Sequence, residues 1–154
     1  MMIRPYVPAL LALALPGLLV GCNSQLATVH GKIVCDGKPV AAGSVSFFPK
    51  PKAEGDLHAG RPASGAPDES GEFQLSTYGK NDGALIGTHV VTYLPPTPPV
   101  TVDRVLYEQQ LKVYEKFGKC KLPAGYEVEV KPGRNEFVLD VTPRADDQPG
   151  PAKQ

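Results

Sequence analysis

The sequence has no tryptophan, only three cysteines and three histidines, and no surplus charge, since 16 basic side chains match 16 acidic ones. With no excess of Lys and Arg to displace counterions from phosphates, charge excludes nucleic acid as a partner. His30, His58 and His89 stand far apart, and no His-x-His, His-Glu-x-x-His or Cys-x-x-Cys spacing supports a metal centre. Neither a Gly-x-Gly-x-x-Gly turn, a phosphate-binding loop nor a Gly-x-Ser-x-Gly elbow occurs. The expectation is a protein without a cofactor and without catalysis. Long apolar runs are also missing. The longest, Val7 to Val20, has fourteen residues and is broken by Pro8 and Pro16, whereas a spanning helix needs about 20.

What the chain has in abundance is turn chemistry. Gly and Pro make up 33 of 154 residues, about 21%, against an average near 12%. That length allows one domain of ordinary size, and a turn-rich folded chain of this composition points to β structure.

The N-terminus is set apart. Arg4 is the only charged side chain before Lys32, no acidic residue precedes Asp36, and the apolar run ends in Leu19-Val20-Gly21-Cys22. A charged start, a short apolar stretch and a small residue at the cut make a signal peptide over residues 1–21. The final four residues resemble the lipobox of bacterial lipoproteins. That resemblance implies transfer of a diacylglyceryl group to the Cys22 thiol, cleavage between Gly21 and Cys22, and acylation of the new amino terminus. The thiol is required because the soft sulfur nucleophile forms the thioether. The expected product is held by lipid on the periplasmic side or the surface of a cell envelope, through a tether of residues 22–26. An ordinary secretory signal with an incidental Cys22 is the bland alternative.

Six or seven short strands, 62–67 being poorly patterned, follow from the run of apolar and polar residues and the turns between them, and suggest a sandwich or barrel. They are expected over 27–35, 44–49, 62–67, 73–77, 87–93, 126–130 and 136–141. Asp36-Gly37, Asp68-Glu69-Ser70-Gly71 and Asn81-Asp82-Gly83 are the turn signals. Leu94 to Val100, with four prolines in seven residues, reads as a stiff connector. Residues 101–117 have helical spacing, with Thr101 as N-cap and Asp103 in the first turn. Residues 142–154 lack apolar side chains to bury and read as a disordered tail.

The segment from Val29-His30-Gly31-Lys32-Ile33 through Asp36-Gly37-Lys38-Pro39 to Gly43-Ser44-Val45-Ser46-Phe47 resembles the opening of carboxypeptidase-regulatory-like, transthyretin-like domains. Asp68 to Leu75 is similar to a second hallmark of that family, an acidic residue and Gly leading into Phe. Val128, Val130 to Gly133, Asn135 and Phe137 look like its last hairpin. The resemblance implies a mainly β, seven-stranded sandwich over residues 27–141, with a helical insertion near 101–117, serving as a structural or protein-interaction module. The Tyr-Arg-Gly-Ser motif of transthyretin-like hydrolases is absent from the sequence.

Other chemistries have thinner support. His30 and His89 lie on expected strands and could meet across a sheet near Asp36 or Asp82. The acidic turns could take Ca²⁺, although their spacing matches no EF-hand loop and Asp in a turn usually serves its own backbone. A glycan partner would need a stacking platform, for which Tyr78, Tyr93 and Tyr126 are the candidates. Cys35 and Cys120 either pair or remain two free thiols. An exported protein can form such a bridge, and closing a loop of about 85 residues adds roughly 4 kcal/mol in the chain-entropy account.

Overall fold

The computed structural model describes residues 25–53 and 59–143. Residues 1–24, with Gly21 and Cys22, and the segments 54–58, with His58, and 144–154 lie outside the described residues. The described residues hold one helix and ten strands, the strands arranged in two sheets: β1 (Leu26–Cys35), β2 (Lys38–Pro39), β3 (Ser44–Pro49), β4 (Ala63–Gly65), β5 (Glu72–Gln74), β6 (Ala84–Leu85), β7 (Gly87–Leu94), α1 (Arg104–Phe117), β8 (Cys120–Lys121), β9 (Glu127–Val130) and β10 (Arg134–Pro143). The count exceeds seven because β2, β6 and β8 are two-residue pairings, too short to show an alternation in sequence.

β1 centres the first sheet. One edge runs parallel to β10, from Thr28 beside Arg134 to Cys35 beside Val141, and the other edge is shared by β2, β5 and β6. β8 pairs with the far end of β10. The second sheet has the order β4-β3-β7-β9. The Asp36-Gly37 pair turns β1 into β2 with both residues at positive φ (50° and 74°). This is the two-residue loop geometry that suits the twist of a hairpin.

The core follows from the inward face of β1. Val29, Ile33 and Cys35 are buried there, and Val45, Phe47, Val91, Leu139 and Val141 meet them. Phe47 lies between the rings of Phe137, Phe73 and His89, at centroid distances of 5.7, 6.5 and 6.0 Å. Gly31 makes this cluster possible. A Cβ there would collide with the Phe73 ring and lie 2.8 Å from the Phe137 carbonyl oxygen.

Three expectations are corrected. β9 and β10 form no hairpin, because β9 joins β7 in one sheet while β10 joins β1 in the other. Residues 131–133 therefore arch between sheets. Asn135 holds the arch: its side chain accepts from the Lys131 N–H (2.9 Å) and donates to the carbonyls of Lys131 (2.8 Å) and Thr28 (3.4 Å). The helix begins later than Thr101, because Asp103 is its N-cap and accepts from the Leu106 N–H at 2.8 Å. A carboxylate caps well and suits the positive end of the helix dipole. Finally, β10 runs past residue 141, since Thr142 and Pro143 pair with Lys121 and Cys120.

Cys35 and Cys120, separated by 85 positions in sequence, form a disulfide with Cα atoms 6.3 Å apart. It clamps the end of β1 to the strand that follows α1. Reduction, or Cys120→Ala, is expected to lower the unfolding free energy by about 4 kcal/mol, read as the shift in urea midpoint between oxidised and reduced protein. Tyr93→Phe removes the buried hydroxyl that donates to the Ala42 carbonyl at 2.9 Å. Its expected cost in the same assay is about 1 kcal/mol.

Candidate functional site

The outward face of β1 carries the most organised polar surface. Side chains alternate along a strand, so Val29 and Ile33 point in while His30 and Lys32 point out. The register places His30 between Gln74 and Glu136, and Lys32 between Glu72 and Val138. Two turns raise walls around this row, and the result is an open groove of about 780 Å³ rimmed by Asp68, Ser76 and Asn81. Arg134 and Glu136 pair at 3.0 Å along one side. The side chains of His30 and Lys32 are half-buried and make no hydrogen bond or ion pair within the described residues, although the Lys32 charge helps to hold the Asp68 carboxyl low. The groove thus offers free donors and acceptors without a stacking ring, because Phe73 turns into the core and Phe137 packs against it.

The acidic turns have work of their own. Asp68 Oδ1 accepts from the Ser70 hydroxyl (2.7 Å), the Ser70 N–H (2.8 Å) and the Glu72 N–H (3.0 Å). The Ser70 hydroxyl and the Glu72 N–H do most to hold its carboxyl below the usual carboxylate range. Asp82 accepts from the N–H groups of Thr77 (2.7 Å), Gly79 (2.7 Å) and Tyr78 (3.0 Å), and the Thr77 bond leads in lowering its pKa. Gly71 and Gly83 complete these turns at positive φ (79° and 92°). Both Asp82 oxygens are occupied by donors, so that turn presents a closed carboxylate rather than an open cation site. Among the described residues, no group of three or more His, Cys, Asp or Glu side chains could hold a metal ion.

The histidines do not meet. His30 faces the groove on the first sheet, whereas His89 lies in the second sheet and is fully buried. His89 Nε2 is 2.7 Å from the Leu85 carbonyl oxygen. That oxygen can only accept, so Nε2 carries the proton, and Nδ1 faces the core without a partner. The tyrosines do not make a platform either. Tyr93 is buried, with its pKa pushed up to about 12 by burial. Tyr126 packs against the core, and exposed Tyr78 lies under the Arg61 guanidinium.

A second surface lies at the end of the sandwich where β1 finishes. There, the chain leaves the sheets after Leu94 and returns at Cys120 beside the disulfide, residues 95–119 lying between. Only Phe117 of α1 is buried. Seven of the ten large exposed apolar side chains among the described residues belong to Leu94–Val113. Between the prolines and α1 runs an open groove of about 410 Å³. Helical spacing located α1, but nothing in its sequence announced that its apolar stripe would stay uncovered. Asn135 and Tyr93 were also missed as anchors: Tyr93 bonds the Ala42 carbonyl 51 residues away, and Asn135 joins its neighbour Lys131 to distant Thr28.

No family model matches the chain, and no curated protein matches it. Among solved structures, the chain is similar to a DUF3823 family protein from Parabacteroides merdae ATCC 43184, at 16% identity and a TM-score of 0.42. The match covers 76% of this chain and 46% of that one, so the chain spans less than half of that protein's length.

Asp68 and Asp82 titrate lower when folded than when unfolded, so their stabilisation is present above about pH 4 and is lost as pH falls through the folded values. Urea midpoints should therefore drop on acidification below about pH 4. Asp82→Asn, which cannot ionise, should be less stable at neutral pH and show a shallower acid slope.

Proposed function

We propose that the chain is an exported protein held to a cell-envelope membrane by lipid on Cys22. Its β-sandwich, of the transthyretin-like, carboxypeptidase-regulatory-like kind, is a non-catalytic module for contact with other envelope molecules. The observation that carries this reading is the placement of Leu19-Val20-Gly21-Cys22 directly ahead of the fold. Only Asn23, Ser24 and Gln25 separate the thiol from β1. At 3.3–3.6 Å per extended residue, the connection reaches no further than about 15 Å. The start of β1 therefore sits against the bilayer. A ten-residue strand is about 30 Å long, so the disulfide at the far end of β1 lies about that distance from the tethered end. The family reading is supported by the Asp36-Gly37 hairpin and by the Asp68–Gly71 turn that delivers Phe73 to the core.

A glycan-binding reading is favoured by one feature, the free polar side chains of His30, Lys32 and Gln74 in the β1 groove. It competes with the protein-contact reading only for that face. The closed carboxylate of Asp82 weighs against the Ca²⁺ variant.

Cys22→Ala should abolish acyl labelling and move the protein from the membrane to the soluble fraction. Labelling that persists in the variant overturns the anchor. For the groove, soluble cell-wall glycan fragments should raise the melting temperature of wild type and leave Lys32→Ala unmoved. No shift in wild type removes the glycan reading, and an equal shift in both proteins removes Lys32 from it.

A further inference from the structure

β1 is paired along both edges, whereas β10 is paired along one. The Val29 and Ile33 carbonyls accept from the Leu75 and Val40 N–H groups, so the odd residues of β1 aim their backbone groups at β5 and β2. Its even residues therefore bond β10, and the parallel register gives them Asn135, Phe137, Leu139 and Val141 as partners. The N–H and C=O groups of Arg134, Glu136, Val138 and Asp140 point the other way. On that side β8 covers only Thr142 and Pro143, and the four outward residues find no backbone partner among the described residues. The edge strands β2, β4, β8 and β9 are two to four residues long. Natural sheets usually cover or blunt a free edge as long as that of β10, because it is a template for another strand.

We propose that two copies of the chain pair β10 with β10, antiparallel, about a two-fold axis at Phe137. A two-fold interface must be complementary to itself, and three features of this edge meet that condition in one register. Phe137, half-buried in the single chain, faces its own copy on the axis, at a non-hydrogen-bonded pair where facing side chains come closest. Arg134 faces Asp140 of the other copy, once on each side of the axis, so opposite charges meet. Asp140 has no ion pair among the described residues. Arg134 already holds Glu136 at 3.0 Å, and its guanidinium has donors enough for both carboxylates. Finally, the paired run from Arg134 to Asp140 fills the free edge and stops short of β8. Only even residues point outward, so the neighbouring registers place the axis at Val138 or Glu136. The first sets Glu136 against Asp140 and drives the incoming strand onto Thr142, which β8 occupies. The second sets Glu136 against itself and Pro132, which has no N–H, against Asp140. In the favoured register the two first sheets become one, with both β1 grooves on the same face. The two β1 strands then run in opposite directions, so lipid on both copies reaches one bilayer with the sheet lying along it. That orientation alone rests on the proposed anchor, and the pairing does not.

The experiment uses the chain beginning at residue 22 with Cys22→Ser, which removes the acylation site and separates pairing from anchoring. Sedimentation over a concentration series should show a monomer–dimer equilibrium. Val138→Pro removes an outward N–H and no bond to β1. It should keep the wild-type circular dichroism and weaken dimerisation by more than about tenfold. Asp140→Arg, an exposed change, sets like charges against Arg134 and should also weaken dimerisation. Adding Arg134→Asp should recover part of that loss. If Val138→Pro does not fold, the charge variants decide. A chain that stays monomeric throughout the series overturns the proposal. So does a dimer indifferent to Val138→Pro or to Asp140→Arg, or a double variant no tighter than Asp140→Arg alone. Chains that do not pair but hold a different protein on this edge would place another partner there and overturn it as well.

Discussion

The parallel pairing of β1 with β10, residue for residue from Thr28 and Arg134 to Cys35 and Val141, ties the two ends of the folded region together. Because strand side chains alternate, this register decides everything that faces in or out. A slip of one residue would send Val29 and Ile33 to solvent and bring His30 and Lys32 into the core. The same register brings Phe137 opposite Gly31, where the missing side chain lets the Phe73 ring enter. The groove on the outer face and the aromatic cluster on the inner face are therefore two consequences of one pairing.

Legibility tracked the range of the interactions concerned. Turns such as Asp36-Gly37 and Asp68–Gly71 were readable because positive φ and side-chain capping are settled within four residues. Long strands were readable from alternation. The arch at 131–133 was not, because a short Pro-Gly link between two strands is equally compatible with a hairpin. What sends β10 to the other sheet is its eight-residue pairing with β1, more than 100 residues earlier in sequence. His89 shows the same limit. A lone histidine beside Val90 and Val91 gives no local sign that it will be buried beside Phe47 with one bare nitrogen. On the outer face, His30 and Lys32 were legible as outward residues, but the neighbours Gln74 and Glu136 come from registers set by tertiary contacts.

The excursion between β7 and β8 is built differently from the rest. The sandwich buries its apolar side chains between two sheets, while α1 buries one residue and leaves its stripe open. An isolated helix of 14 residues is marginal in water. Here the Asp103 cap at one end and the disulfide near the other restrain it. Stability is thus supplied from the ends, and the side of the helix is left available for contact.

The order in which the strands occur along the chain also has a temporal meaning. β1 is the first strand and β10 the last, so one edge of β1 stays open until nearly the whole folded region has been made or moved across a membrane. Hairpins such as β1–β2 can close early, but the central sheet cannot be completed from its N-terminal part. Such long-range pairing folds slowly compared with local structure. For a chain that crosses a membrane from its N-terminus, that delay keeps the polypeptide threadable during passage. It also confines closure of the sheet to the side on which β10 emerges.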